Sequence, residues 1–238
     1  MEGRLETGAA RAGSQLQTQR YVNERTEELN AAIRAEFADL DGATIEWRSP
    51  LARDAYAEYW DKAFLEKVDL DQHADSLKSF WPTGGPHWDA LAVVTTPRNS
   101  RPGVLLAEGK SYPGELHGSG CQAKPRSPSR ALIEKSLGQT RERLGVPARS
   151  ASDWSGPLYQ SANRLAHLCW LRSLGVRAWL VHLPFVDDPH KPTSVAEWTA
   201  ALGTANRELG LDGLTVDGTA HVLLRVGSTP GLRSDSKS

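Results

Sequence analysis

The chain has 238 residues, 24% of them charged and 39% hydrophobic, with a net charge of −1. That length and mixture fit one globular α/β domain and exclude a collagen-like or low-complexity chain. Two cysteines are too few for a disulfide framework, and no run of about 18 apolar residues offers a membrane span. The expectation is therefore a cytoplasmic protein with reduced thiols and no membrane association.

Residues 1–15 are small and polar and are expected to form a disordered lead. Residues 16–39 read as one long helix, with Val22, Leu29, Ile33, Phe37 and Leu40 on a single stripe. Asp41-Gly42 turns the chain into a short strand at Thr44–Trp47. Residues 53–67 show Tyr56, Tyr59, Trp60, Ala63 and Phe64 at helical spacing and read as a second helix. The Gly/Pro-rich stretch 80–87 leads into an apolar strand, Trp88–Val94. A polar turn separates it from a second apolar strand, Val104–Tyr112, and the pair reads as an antiparallel hairpin.

Residues 113–128 are expected to be a mobile loop, followed by a helix at 129–145 and another at 157–174. The nearly continuous apolar run 176–186 predicts a central strand covered on both faces. Ser194 and Glu197 form a candidate capping box for a helix over 194–208, and His221–Val226 is the last strand. Residues 228–238 read as a flexible tail. The sum is an α/β domain over 16–227, with a mixed sheet of about five strands and helices on both faces.

The chemistry lies on the hairpin. Side chains at i and i+2 of a strand share a face, so Glu108 and Lys110 project together. The hairpin brings Asp89 beside Glu108, and Gly109, between Glu108 and Lys110, leaves a carbonyl accessible. Two carboxylates and a carbonyl suit Mg²⁺, a hard ion that keeps several waters, and Mn²⁺ can substitute for it. Such an ion with an adjacent lysine serves hydrolysis of a phosphodiester.

Asp89…Glu108-Gly109-Lys110 resembles the D…(D/E)-x-K core of the PD-(D/E)xK, restriction-endonuclease-like nucleases. The resemblance spans roughly residues 20–185. It implies that Asp89, Glu108 and the Gly109 carbonyl ligate Mg²⁺ and that Lys110 assists the attacking water. It also implies an acid on the first helix, for which Glu28 is the candidate among Glu24, Glu27 and Glu28. Some members carry a Gln-x-x-x-Tyr motif on a later helix; here Gln160 is present, but the tyrosine position holds Arg164. Trp88 stands where the motif has proline. Residues 53–67 and 113–150 look like insertions.

Residues 121–150 carry seven bases against two acids. Lys124, Arg126 and Arg130 in that stretch, with Arg164, are the candidate contacts to a nucleic-acid backbone, most naturally DNA. Trp81 and Trp88 flank the glycine-proline turn and are candidates to stack on a base. A duplex cutter needs two active sites, which makes a homodimer an expected arrangement. Two other readings fit the same residues: a non-catalytic nucleic-acid-binding or regulatory module, and a metal-dependent phosphoesterase for a small substrate.

Overall fold

The computed structural model describes residues 3–97, 99–147 and 152–227. Strand β1 (Arg4–Leu5) pairs antiparallel with β3 (Glu58–Tyr59), and helices α1 (Gly13–Asn23) and α2 (Thr26–Glu36) lie between them in sequence with β2 (Thr44–Ser49). Then come α3 (Asp61–Lys67), α4 (Ala74–Phe80), β4 (Ala90–Thr96) and β5 (Asn99–Lys110). Helices α5 (Pro128–Arg143) and α6 (Tyr159–Ser173) precede β6 (Ala178–Val186). Helix α7 (Val195–Glu208) and the short strands β7 (Thr219–His221) and β8 (Leu224–Arg225) complete the described chain.

The central sheet runs in the order β2-β4-β5-β6-β7, with β8 pairing the far end of β6. Strands β2, β4 and β5 are antiparallel, whereas β5, β6 and β7 are parallel, so the sheet is mixed. Leu91, Val93, Leu106 and Leu180 point to the face covered by α5 and α6. Ala92, Val94, Leu105 and Val181 point to the face covered by α1 and α2. A strand buried on both faces needs apolar residues at odd and even positions alike, which is the pattern of β4 and β6.

Edge strand β2 instead alternates, burying Ile45 and Trp47 while Glu46 is exposed. Helix α7 opens with the capping box read from the sequence: Ser194 accepts from the Glu197 N–H, and Glu197 accepts from the Ser194 N–H. Such a cap contributes about 1 kcal/mol.

Four expectations are corrected. The lead is ordered from residue 3: Arg4–Leu5 is a strand, and the Trp60 N–H donates to the Gly3 carbonyl. The long first helix is two helices, broken at Glu24-Arg25. There Asn23 binds the Gln19 and Pro50 carbonyls and the Ala52 N–H, and the Thr26 hydroxyl donates to the Val22 carbonyl. The helix read over 53–67 begins only at Asp61. Ala55 and Tyr56 take the left-handed conformation, which ends helical continuity, and Glu58–Tyr59 is extended. The short helix α4 was not foreseen. Arg149 and the tail 228–238 lie outside the described residues.

Among the described residues no helix is long and apolar enough to cross a membrane.

Candidate active site

Hairpin register places the acids. Ala90 of β4 pairs with Ala107 of β5, so Asp89 and Glu108 are the next opposed positions, on the face that carries Leu91 and Leu106. The Gly109 N–H donates to Asp89 Oδ2 at 2.8 Å and ties the two strands at this end. Glycine at 109 has a packing reason: a side chain there would collide with Thr18 of α1 and with Phe185.

Helix α6 covers the same face and brings two more groups. Lys110 Nζ donates to Glu108 Oε1 at 2.7 Å and to Gln160 Oε1 at 3.0 Å. Arg164, one helical turn beyond Gln160, reaches the other oxygen of Glu108: its Nη2 lies 2.8 Å from Oε2. The same guanidinium donates to Asn163 Oδ1 and to the His87 carbonyl. Glu108 is thus buried between a lysine and an arginine, a charge-assisted network that fixes its rotamer. Arg164 is itself 5% exposed. It is therefore engaged with Glu108 and does not stand free for a phosphate, as the sequence had suggested.

The two acids are driven apart in protonation. Burial, and then the charge of Glu108, push the Asp89 carboxyl well above the usual carboxylate range. Burial alone would raise Glu108 as well, but Arg164 and Lys110 outweigh it and hold the group well below that range. A third carboxylate stands close by. Glu58 of β3 is raised by burial, opposed by a hydrogen bond from Gln15 and raised further by Glu108. Sequence reading missed Glu58 because its segment looked helical; the left-handed pair Ala55-Tyr56 is what turns it towards the site.

The row continues across the sheet. Glu108 is in register with His182 of β6, and His182 with His221 of β7. The two imidazoles lie with centroids 5.2 Å apart and planes tilted by 33°. Burial and then His221 lower His182 to about 3, so it is neutral beside the acids.

Not every candidate reaches this place. Glu28 of α2 pairs with Arg25 and contacts the Tyr21 hydroxyl and so is held away from the hairpin acids. Arg130 is bound to Glu134 on its own helix and donates to the Cys121 carbonyl. Lys124 and Arg126 are exposed on the segment leading into α5. Trp81 and Trp88 are buried, at 4% and 0% exposure, and cannot stack on a base.

A cleft of about 300 Å³ opens beside the network, lined by Gly85, Pro86 and His87, by Gly118–Gly120, and by Tyr159, Gln160, Asn163 and Arg164 of α6.

A hard divalent cation fits this donor set. Asp89 Oδ1 takes no hydrogen bond from the described residues, and a positive ion there would oppose both the burial and the Glu108 charge that raise Asp89. Among the described residues no three His, Cys, Asp or Glu side chains form a ready cage. Mg²⁺ asks for less, since one or two carboxylates with waters suffice.

No family model, no curated protein and no solved structure matches this chain.

Proposed function

We propose that the chain is a Mg²⁺-dependent nuclease of restriction-endonuclease-like fold that hydrolyses phosphodiester bonds in DNA. The observation that carries this reading is the junction of Asp89, Glu108, Lys110 and Gln160 at the end of one hairpin, beside an open cleft. Asp89 and Glu108 would hold the ion, with the Gly109 carbonyl as a further ligand and Mn²⁺ as a substitute. Bound there, it would acidify a water and offset charge on the phosphate.

The chain's own groups do the rest. Lys110 is pinned between Glu108 and Gln160, so its ammonium is already oriented when substrate arrives. It positions the attacking water and offsets negative charge developing on the phosphate. Arg164 keeps Glu108 ionised and fixed. Lys124 and Arg126 extend the positive surface along the backbone. Free Cys121 and Cys169 suit a cytoplasmic setting, and cutting both strands of a duplex would call for a homodimer.

The test is incubation of the protein with plasmid and single-stranded DNA in Mg²⁺, Mn²⁺ or EDTA, beside Lys110→Ala. Cleavage that requires metal and Lys110 supports the reading. DNA binding without cleavage assigns the fold to a binding module instead. Hydrolysis of a small phosphate ester with no effect on DNA makes the protein a phosphoesterase.

A further inference from the structure

The loop that precedes Asp89 builds an aromatic surface at the mouth of the cleft. The His87 ring stacks on Trp60 with centroids 3.9 Å apart and planes 5° from parallel. His87 is nevertheless exposed and lines the cleft, so its free surface is the ring face opposite Trp60 and the ring edge. Trp60 is half-buried, so the stack has a fixed back and an open front.

Three attachments make this surface rigid. The His87 carbonyl accepts from Arg164, the guanidinium that also grips Glu108. The Asp61 carboxylate accepts from the N–H groups of Gly84 and Gly85 and holds the turn that delivers His87. The Trp88 N–H donates to the Tyr59 carbonyl just beyond it. The ring therefore keeps a set position relative to Glu108, with one guanidinium between them.

We propose that the Trp60-backed face of His87 is a stacking platform for one unpaired base next to the scissile phosphate, so that the preferred substrate is single-stranded nucleic acid. This rests on the nuclease reading above. A base inside a duplex already has neighbours on both faces and cannot offer one to a protein ring, whereas an unpaired base can. The cleft's volume, about 300 Å³, lies at the small end of small-molecule sites, the scale of one nucleotide. Gln160 spends its carbonyl on Lys110, which leaves its amide N–H₂ facing the cleft as a donor for a base edge or a phosphate.

The experiment measures binding in EDTA, where no ion supports turnover, with a fluorescent oligothymidylate of about 12 nucleotides and the same strand in a duplex. The wild-type protein is expected to prefer the single strand. His87→Ala should weaken single-strand binding by about tenfold, the scale of one lost base stack, and leave duplex binding unchanged. His87→Phe should restore it, and His87→Leu, which fills the space without a π face, should not. Should His87→Ala fail to fold, the contrast between Phe and Leu decides. Equal affinity in all variants, or tighter binding of the duplex, overturns the proposal while leaving metal-dependent cleavage standing. Absence of cleavage by the wild-type protein, with or without stacking, removes the nuclease reading instead.

Discussion

Gln160 Oε1 accepts a hydrogen bond from Lys110 Nζ at 3.0 Å, across 50 residues of sequence. The contact joins helix α6 to the hairpin end and leaves the lysine two acceptors, Glu108 and Gln160. Replacing Gln160 by Ala frees the ammonium to swing. The expected result is a fall in kcat of about ten- to a hundredfold with KM little changed, since partners that orient a reacting group act on that scale. Equal loss in KM would instead assign Gln160 to substrate binding.

Glu108→Ala does more than remove a ligand. It leaves Arg164 and Lys110 charged in a buried place without their carboxylate, and such a loss costs about 3–5 kcal/mol. Glu108→Gln keeps the shape and one acceptor oxygen, although its amide N–H₂ then faces one of the two cationic donors. Thermal melting should place the Gln variant well above the Ala variant, with cleavage abolished in both.

Asp89→Asn should stabilise the metal-free protein. Burial and Glu108 raise the folded-state Asp89 above its unfolded value, so the native state holds the extra proton. Its contribution is therefore fully present below the unfolded value and is lost as pH rises through the folded one. Asparagine is neutral throughout and escapes that loss at neutral pH. The wild type should gain Tm on addition of Mg²⁺, and the Asn variant should not. A gain in both would place the ion elsewhere.

His167 sets an acid limb. It is buried among Phe80, Trp81 and Trp88, and burial lowers it from 6.5 to about 3, against a hydrogen bond to the Asn163 carbonyl that raises it. The unfolded chain binds the proton between those two values and the native one does not. Stability therefore falls as pH drops from 6.5 towards 3, by at most about 1.4 kcal/mol per pH unit from this group. Denaturant titrations of His167→Phe should show a shallower dependence on pH in that window.

Lys124 and Arg126 are exposed and offer charge without a fixed geometry. Each replacement by Ala should weaken DNA binding uniformly across sequences and lower the slope of log K against log salt by about one. An unchanged slope would place the backbone elsewhere.

The legible parts of this fold are those with a local cause. The hairpin could be read because two apolar runs flank a polar turn, and the shared direction of Glu108 and Lys110 because side chains alternate along a strand. The capping box at Ser194 is four residues long and was equally plain. What escaped depends on partners far along the chain. Glu58 is brought to the site by two left-handed residues that no periodicity reveals, in a segment whose apolar spacing imitates a helix. Arg164 could be placed on its helix, but its burial against Glu108 follows only from the docking of α6 on β5. The order of Arg4–Leu5 rests on pairing with Glu58–Tyr59, more than fifty residues away.

The site's composition also bears on how the chain assembles. Asp89 and Glu108 belong to adjacent strands joined by a tight connection, so their meeting has little loop-closure entropy to overcome. Gln160 and Arg164 arrive from a helix some 50 residues further on, and β6 must then insert parallel to β5. Such non-local pairing is the slow kind. During folding the carboxylate pair and Lys110, all carried by the hairpin, are therefore expected to meet before Arg164 docks, and a divalent ion in the refolding buffer meets that half-built centre while its charge is least opposed.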